Sequence, residues 1–194
     1  MAYLDVLCSV LSSLRYFKLE NLDDEDDLQL PKVRGKGVQQ AVSDIRNYLT
    51  SQHSQFESLQ TVAHLYCFLV GQRALQPWVL YRLDQGGNQA DRVAGIVNNV
   101  QRRSEVGIYA KTTPSFACAC LLTPDEVGCM VYIPHIFCNW PNLPCVAVHQ
   151  PPPGYSTLGT GVLRQMVGGP PDSFYSGVYQ DLNGAFRAAG RLTS

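Results

Sequence analysis

Apolar residues recur every three or four positions through the first 104 residues, the spacing that places side chains on one face of an α-helix. Four amphipathic helices are predicted on this basis. The third begins at Ser54-Gln-Phe-Glu57, because a serine and a glutamate at this spacing can form a capping box, and Pro77 is expected to end it. The apolar positions of the four helices are Leu4, Leu7, Leu11 and Leu14; Val38, Val42, Ile45 and Leu49; Phe56, Leu59, Val62, Tyr66 and Leu69; and Val93, Ile96, Val97 and Val100.

After residue 104 the pattern changes to short runs of β-branched and aromatic residues bounded by turn residues, which predicts strands. The runs cover residues 115–122, 127–133 and 145–149, with a hairpin turn at Pro124-Asp125. Ten of the twelve prolines and ten of the sixteen glycines lie in this part of the chain. The tail from Gly154 onward lacks clear periodicity and is predicted to be extended or loop.

These patterns predict an α+β protein. It has an N-terminal helical bundle of about four helices, then a small antiparallel sheet and a Pro/Gly-rich C-terminal segment. Residues 1–104 form the helical half and residues 105–194 the strand- and loop-rich half. A length of 194 residues is enough for one sizeable core, so the two halves are expected to form one compact domain.

The composition adds a low density of charge to this picture. Charged residues make up 16% of the chain, below the usual quarter, and the formal net charge is −1. Such a surface costs little to desolvate, which favours a homo-oligomer. It also argues against bulk attraction to nucleic acid or anionic lipid. No apolar run is long enough to span a membrane, and the N-terminus does not resemble a signal peptide. A cytoplasmic location, or one inside a virus particle, is expected.

Opposite charges lie side by side in the linker between the first two predicted helices. An acidic run, residues 23–27, is followed by Lys32, Arg34 and Lys36. One interpretation is a solvated loop whose two halves neutralise each other. The other is a weak nucleic-acid contact, in which these three cations touch phosphates.

A cysteine and a histidine suggest one kind of catalysis. Papain-like proteases place a catalytic cysteine before an aromatic residue at the start of a helix, and a later strand supplies the histidine that activates it. Cys67-Phe68 followed by His149 resembles this order, and the helix-then-strand layout resembles the compact leader proteases of some viruses. The resemblance implies a catalytic pair of Cys67 and His149. Cys67, however, lies inside an apolar helix, so a buried and unactivated thiol is the alternative.

The remaining cysteines suggest a metal site. The chain has seven cysteines and no export signal, so reduced thiols are expected. A hairpin turn at Pro124-Asp125 would place Cys120 opposite Cys129, with Cys118 on the same face. Cys118, Cys120, Cys129 and His135 are therefore candidate zinc ligands, although the C-x-x-C spacing typical of zinc sites is absent. The alternative is that these thiols are small packing side chains and that no cofactor is bound.

A proline-rich stretch follows His149. Pro152-Pro153-Gly154-Tyr155 matches the Pro-Pro-x-Tyr ligand motif of WW domains, in which the prolines preset an extended helix and the tyrosine fills an aromatic groove. It also resembles the late-budding motif of viral matrix and Gag-like proteins. Pro152, Pro153 and Tyr155 would contact a WW-domain partner. The alternative is a rigid exposed turn after a strand end.

Taken together, these features favour a structural function over an enzymatic one. Charges are few, no coherent catalytic set is evident, and late aromatic residues without nearby cations suit contacts with other subunits. The prediction is a self-associating or scaffold protein, such as a viral coat, matrix or assembly component. The alternatives are a papain-like cysteine protease and a WW-domain-binding adaptor. The late aromatic residues are Phe174, Tyr175, Tyr179 and Phe186.

Overall fold

The protein is described by a computed structural model covering residues 2–83, 106–124, 131–149 and 157–192. It is an α+β protein with a six-stranded antiparallel sheet and helices on both faces. No helix within those ranges is long and apolar enough to cross a membrane.

Helices dominate the N-terminal part of the chain. Three of the predicted amphipathic helices are confirmed, and Ser54 caps the third by accepting a hydrogen bond from the Glu57 amide. That helix ends at Gly71, six residues before Pro77. The fourth predicted helix, around residues 93–100, lies outside the described residues, so a four-helix bundle is not confirmed. The helices are α1 (Ala2–Ser13), α2 (Tyr16–Leu19), α3 (Val38–Ser51) and α4 (Gln55–Gly71), with a 3₁₀ turn at Glu20–Asp24.

The sheet draws its strands from both halves of the sequence. Its spatial order is β2-β3-β4-β5-β1-β6, and every neighbouring pair is antiparallel. The segment 78–82, in the half predicted to be helical, forms β1 between β5 and β6. The strands are β1 (Trp78–Arg82), β2 (Gly107–Thr112), β3 (Ala117–Pro124), β4 (Tyr132–Asn139), β5 (Cys145–His149) and β6 (Tyr175–Tyr179).

The predicted hairpin turn at Pro124-Asp125 is wrong. Strand β3 continues to Pro124, which pairs with Tyr132 of β4, so the connection takes up residues 125–131. Cys120 consequently lies opposite Ile136 rather than Cys129. A turn signal from Pro-Asp was misleading here because Pro124 is the last residue of the strand and not the start of the turn.

The C-terminal segment is more regular than predicted. It forms α5 (Thr157–Val167), a 3₁₀ turn (Pro171–Phe174), strand β6 and α6 (Leu182–Arg191). Helix α6 is capped by Asp181, which accepts from the Gly184 amide at 2.7 Å. The buried face of this helix consists of Leu182, Ala185 and Ala189. Because two of the three are alanine, the helical spacing of apolar residues is weak in the sequence. The expectation of an extended or loop tail is therefore wrong.

Strand alternation divides the core into two layers. On β1, Trp78 and Leu80 point towards the layer that holds α1, α3, α4 and α6. Val79 and Tyr81 point towards the other layer, where α5 packs. The sheet is thus buried on both faces, which explains why β3, β4 and β5 consist almost entirely of buried residues.

Helix α4 lies directly against the sheet. All residues from Val62 to Val70 are buried. At the N-terminal side of this contact, Gly107 on β2 approaches the backbone of Leu59 so closely that a Cβ on Gly107 would lie 2.6 Å from the Leu59 carbonyl oxygen. Only glycine fits this contact without moving the helix or the strand.

We predict that Gly107→Ala destabilises the protein by about 2–3 kcal/mol, because the added methyl meets backbone atoms that cannot rotate away. The control is Gly161→Ala in α5, where a Cβ would meet nothing within 4 Å. This control should be neutral or stabilising by about 0.5–1 kcal/mol. Urea denaturation measures both, and equal stability of the two variants would contradict the close contact.

Candidate functional site

The two residues of the predicted catalytic pair are held apart. Cys67 is 1% exposed on α4, and its thiol donates to the Tyr109 carbonyl on β2 at 3.6 Å. His149 lies on β5, where its Nδ1–H donates to the Pro77 carbonyl oxygen at 3.0 Å. Strands β3 and β4 lie between β2, which Cys67 contacts, and β5, which carries His149. Neighbouring strands in a sheet are about 4.8 Å apart. The structure therefore does not bring Cys67 and His149 together.

The surroundings of Cys67 also disfavour a reactive thiolate. Burial raises the pKa of Cys67 well above its ordinary value, and the neighbouring thiols of Cys118 and Cys120 raise it further. An activated cysteine requires the opposite shift, because the thiolate is the nucleophile. In this environment Cys67 is a protonated, packed side chain.

We predict that iodoacetamide alkylates Cys67 at least about 100-fold more slowly in the native protein than in urea, since burial blocks access and keeps the thiol protonated. Peptide mass spectrometry after timed labelling gives the rate at each cysteine, and the other buried cysteines are internal controls. Faster labelling of Cys67 in the native state than in urea would contradict this prediction and would support the cysteine-protease alternative.

The candidate zinc ligands are divided between the two faces of the sheet. Cys118 and Cys120 share the face that α4 covers. His135 pairs with Leu121, so it belongs to the opposite face. Cys129 lies outside the described residues. Within the described ranges, no group of three or more histidine, cysteine, aspartate or glutamate residues is arranged to hold a metal ion.

The thiols on the helix-facing side form a layer of small side chains. Cys118 lies opposite Cys138 on β4, and Cys145 on β5 is buried in the same layer. All six described cysteines are free and buried. Their small volume lets α4 approach the sheet, which is a packing function that free cysteine commonly performs.

His135 is a fully buried polar group on the other face. It lies 3.0 Å from Thr123 Oγ1 through Nε2. Burial lowers the pKa of His135 from 6.5 to about 4. The native protein therefore holds it neutral, whereas the unfolded chain takes up a proton below about pH 6.5.

We predict that this difference removes roughly 3 kcal/mol of stability as the pH falls from 7 to 4, because protons then favour the unfolded chain. In His135→Gln this component of the pH dependence should disappear, while the exposed control His53→Gln should behave as wild type. Urea denaturation at several pH values provides the comparison. If the free energy of unfolding depended on pH in the same way in wild type and His135→Gln, the prediction would be contradicted.

Two of the three candidate nucleic-acid-binding cations form ion pairs within the chain. Arg34 contacts both carboxylate oxygens of Asp24 at 2.8 Å. Lys36 lies 2.7 Å from Asp44. The third cation, Lys32, has a smaller effect: burial raises the pKa of Asp23, and hydrogen bonds from two backbone amides, with the nearby charges of Arg34 and Lys32, lower it overall. Arg34 is thus neutralised by an acid of the same linker and Lys36 by an acid of α3, so both cations are already paired with carboxylates.

A cluster of polar side chains, Glu25, His64, Tyr109 and Lys111, connects this linker to α4 and β2. The sequence did not indicate it. Lys111 on β2 contacts both carboxylate oxygens of Glu25 at 2.7 Å. His64 on α4 lies 3.6 Å from the same carboxylate and stacks on the Tyr109 ring at 3.6 Å between centroids. Burial lowers the pKa of His64, and the Glu25 carboxylate opposes that shift. Glu25 is one of five consecutive acids, so the sequence does not distinguish it.

The most exposed apolar side chains in the C-terminal segment lie at the edge of the sheet. β6 is the last strand in the part of the chain that the structure describes. Tyr175 and Val178 on it are both 54% exposed. The residues from 173 to 180 include no charged side chain. Pairing with β1 is regular over residues 177–179 and shifts by one residue next to Tyr175.

The predicted WW-domain ligand, Pro152, Pro153 and Tyr155, lies outside the described residues. The strand predicted immediately before it is confirmed as β5.

The fold and these surroundings define a helix-covered, antiparallel α+β protein whose six described cysteines are free and buried. The sequence matches no model of a known protein family, and no curated protein matches it either.

Proposed function

We propose that the protein is a self-associating structural or scaffold protein, and that β6 of one copy pairs with β6 of a second. The observation that carries this proposal is an uncharged edge strand with exposed apolar side chains. The outer edge of such a strand presents backbone N–H and C=O groups to any strand of matching length.

Antiparallel pairing of β6 with itself is geometrically simple. Two copies related by a two-fold axis present the same residues to each other, so one self-complementary surface suffices. The regular part of the strand, residues 177–179, would provide the new backbone hydrogen bonds. The contact would join two six-stranded sheets and cover Val178 and Tyr175 on one face.

The charge pattern supports this arrangement. Many natural edge strands carry lysine or proline, which prevents pairing with a second chain. No such residue occurs within β6, and the nearest acids, Asp172 and Asp181, lie beyond its ends. Association through uncharged groups should persist at high salt, unlike association through ion pairs.

Within this proposal the pair is the building unit of a larger assembly, such as a viral coat, matrix or assembly component. It would act in the cytoplasm or inside a virus particle. The sparse charge of the whole chain supports such a function, because surfaces that are buried in assemblies are depleted of charge.

We expect the wild-type mass to rise towards that of a dimer or larger discrete assembly as protein concentration increases. Val178→Lys should raise the protein concentration at which association occurs by at least about tenfold, since it places a charge in the strand contact. Gel filtration coupled to light scattering measures this, at low and high salt.

The matched control is Phe17→Lys. Phe17 is 57% exposed on α2, so this variant removes an equally exposed apolar side chain away from β6. It should associate like the wild type. A wild-type protein that stays monomeric at the highest concentration, or an equal effect of the two variants, would refute pairing through β6.

A further inference from the structure

A cavity of about 490 Å³ opens beside His149, in the size range of small-molecule sites. Its walls come from α1, from the segment after α4, and from the adjoining ends of β4 and β5. Thirteen of the described residues line it, and none of these is aspartate, glutamate, lysine or arginine. The lining is therefore uncharged apart from any charge on His149.

One wall is an apolar stripe on α1. Val6 and Val10 lie four residues apart and so share a face of the helix. Val6 is 51% exposed, although the rest of its helix packs leucines into the core. An apolar side chain in a concave wall contributes to the binding of an apolar ligand, because the ligand removes it from water.

Six described residues with polar side-chain atoms line the cavity, namely Tyr3, Ser13, Tyr66, Gln76, Tyr132 and His149. The first of the two that matter for the proposal is Tyr66. Tyr66 lines the cavity and is 1% exposed, and its hydroxyl has no hydrogen-bond partner among the described residues. Burial raises the pKa of Tyr66, so its hydroxyl remains a donor. Leaving such a group unpaired costs about 1–3 kcal/mol, and a ligand that supplies an acceptor would recover this energy.

The second polar group is His149. Its Nδ1–H is already donated to the Pro77 carbonyl, which leaves Nε2 as the acceptor atom. Burial lowers the pKa of His149, so the ring is neutral near pH 7. The Trp78 ring lies 5.7 Å from it, between centroids, and supports its position. Tyr66 and His149 thus add one donor residue and one acceptor residue to the lining of the cavity.

We propose that this cavity binds an uncharged, mainly apolar small molecule with a carbonyl, amide or hydroxyl group, which pairs with Tyr66 and His149. A charged ligand is disfavoured because no opposite charge lines the cavity, and burying an unpaired charge is costly. The proposal is independent of self-association through β6.

The test uses Prodan, an uncharged naphthyl ketone whose fluorescence reports its surroundings. Wild-type protein should bind it saturably. Tyr66→Phe should weaken binding about five- to tenfold, the loss of one buried hydrogen bond, without lowering stability. Val6→Asp should abolish binding. The control Ser9→Asp places the same charge on an exposed position of α1 that does not line the cavity, and should bind like the wild type.

Competition distinguishes the ligand class. Naphthalene-2-carboxamide should displace Prodan at pH 7, and naphthalene-2-carboxylate should be much weaker. Equal competition by both compounds would overturn the preference for an uncharged ligand. Absence of saturable binding, or equal affinity of wild type, Tyr66→Phe and Val6→Asp, would overturn the site itself.

Discussion

The close packing of α4 against the sheet is the constraint on which the rest of the structure depends. A helix with nine consecutive buried residues can lie this close only if the facing strands present small side chains. At one end of the contact the small residue is Gly107, and further along the small side chains are those of Cys118 and Cys120. The cysteines that resemble reactive or metal-binding groups in the sequence are thus explained by volume.

This packing also determines where polar groups are placed. In the centre, burial raises the pKa of the Cys67 and Cys120 thiols and keeps them protonated. Charged groups lie at the periphery, where Glu25 pairs with Lys111 and holds the acidic linker beside His64. The acidic run is therefore partly structural, because one of its members neutralises a cation on β2.

The two proposed binding regions arise where the layers leave polar groups unsatisfied. β6 is the last strand of the sheet among the described residues, so its outer backbone groups have no strand partner there. Beside His149, Tyr66 lines a cavity, and its buried hydroxyl has no hydrogen-bond partner within the described ranges. A buried polar group without a partner is costly, so a ligand that pairs with Tyr66 would gain free energy, whereas the exposed backbone groups of β6 would exchange water for a second strand.

The sequence by itself determined the local elements whose signals are short-range. Leucine spacing in α1, the Ser54 cap of α4 and the apolar run of β5 each depend on neighbours within a few residues. The α+β class follows from these signals.

What the tertiary structure decided depends on residues far apart in the chain. A short run such as β1, with four apolar residues before Arg82, has no diagnostic periodicity, and it becomes a strand because Trp78 pairs with His149 and Tyr179. Register placed His135 and Cys120 on opposite faces, since a shift of one residue reverses the direction of every side chain.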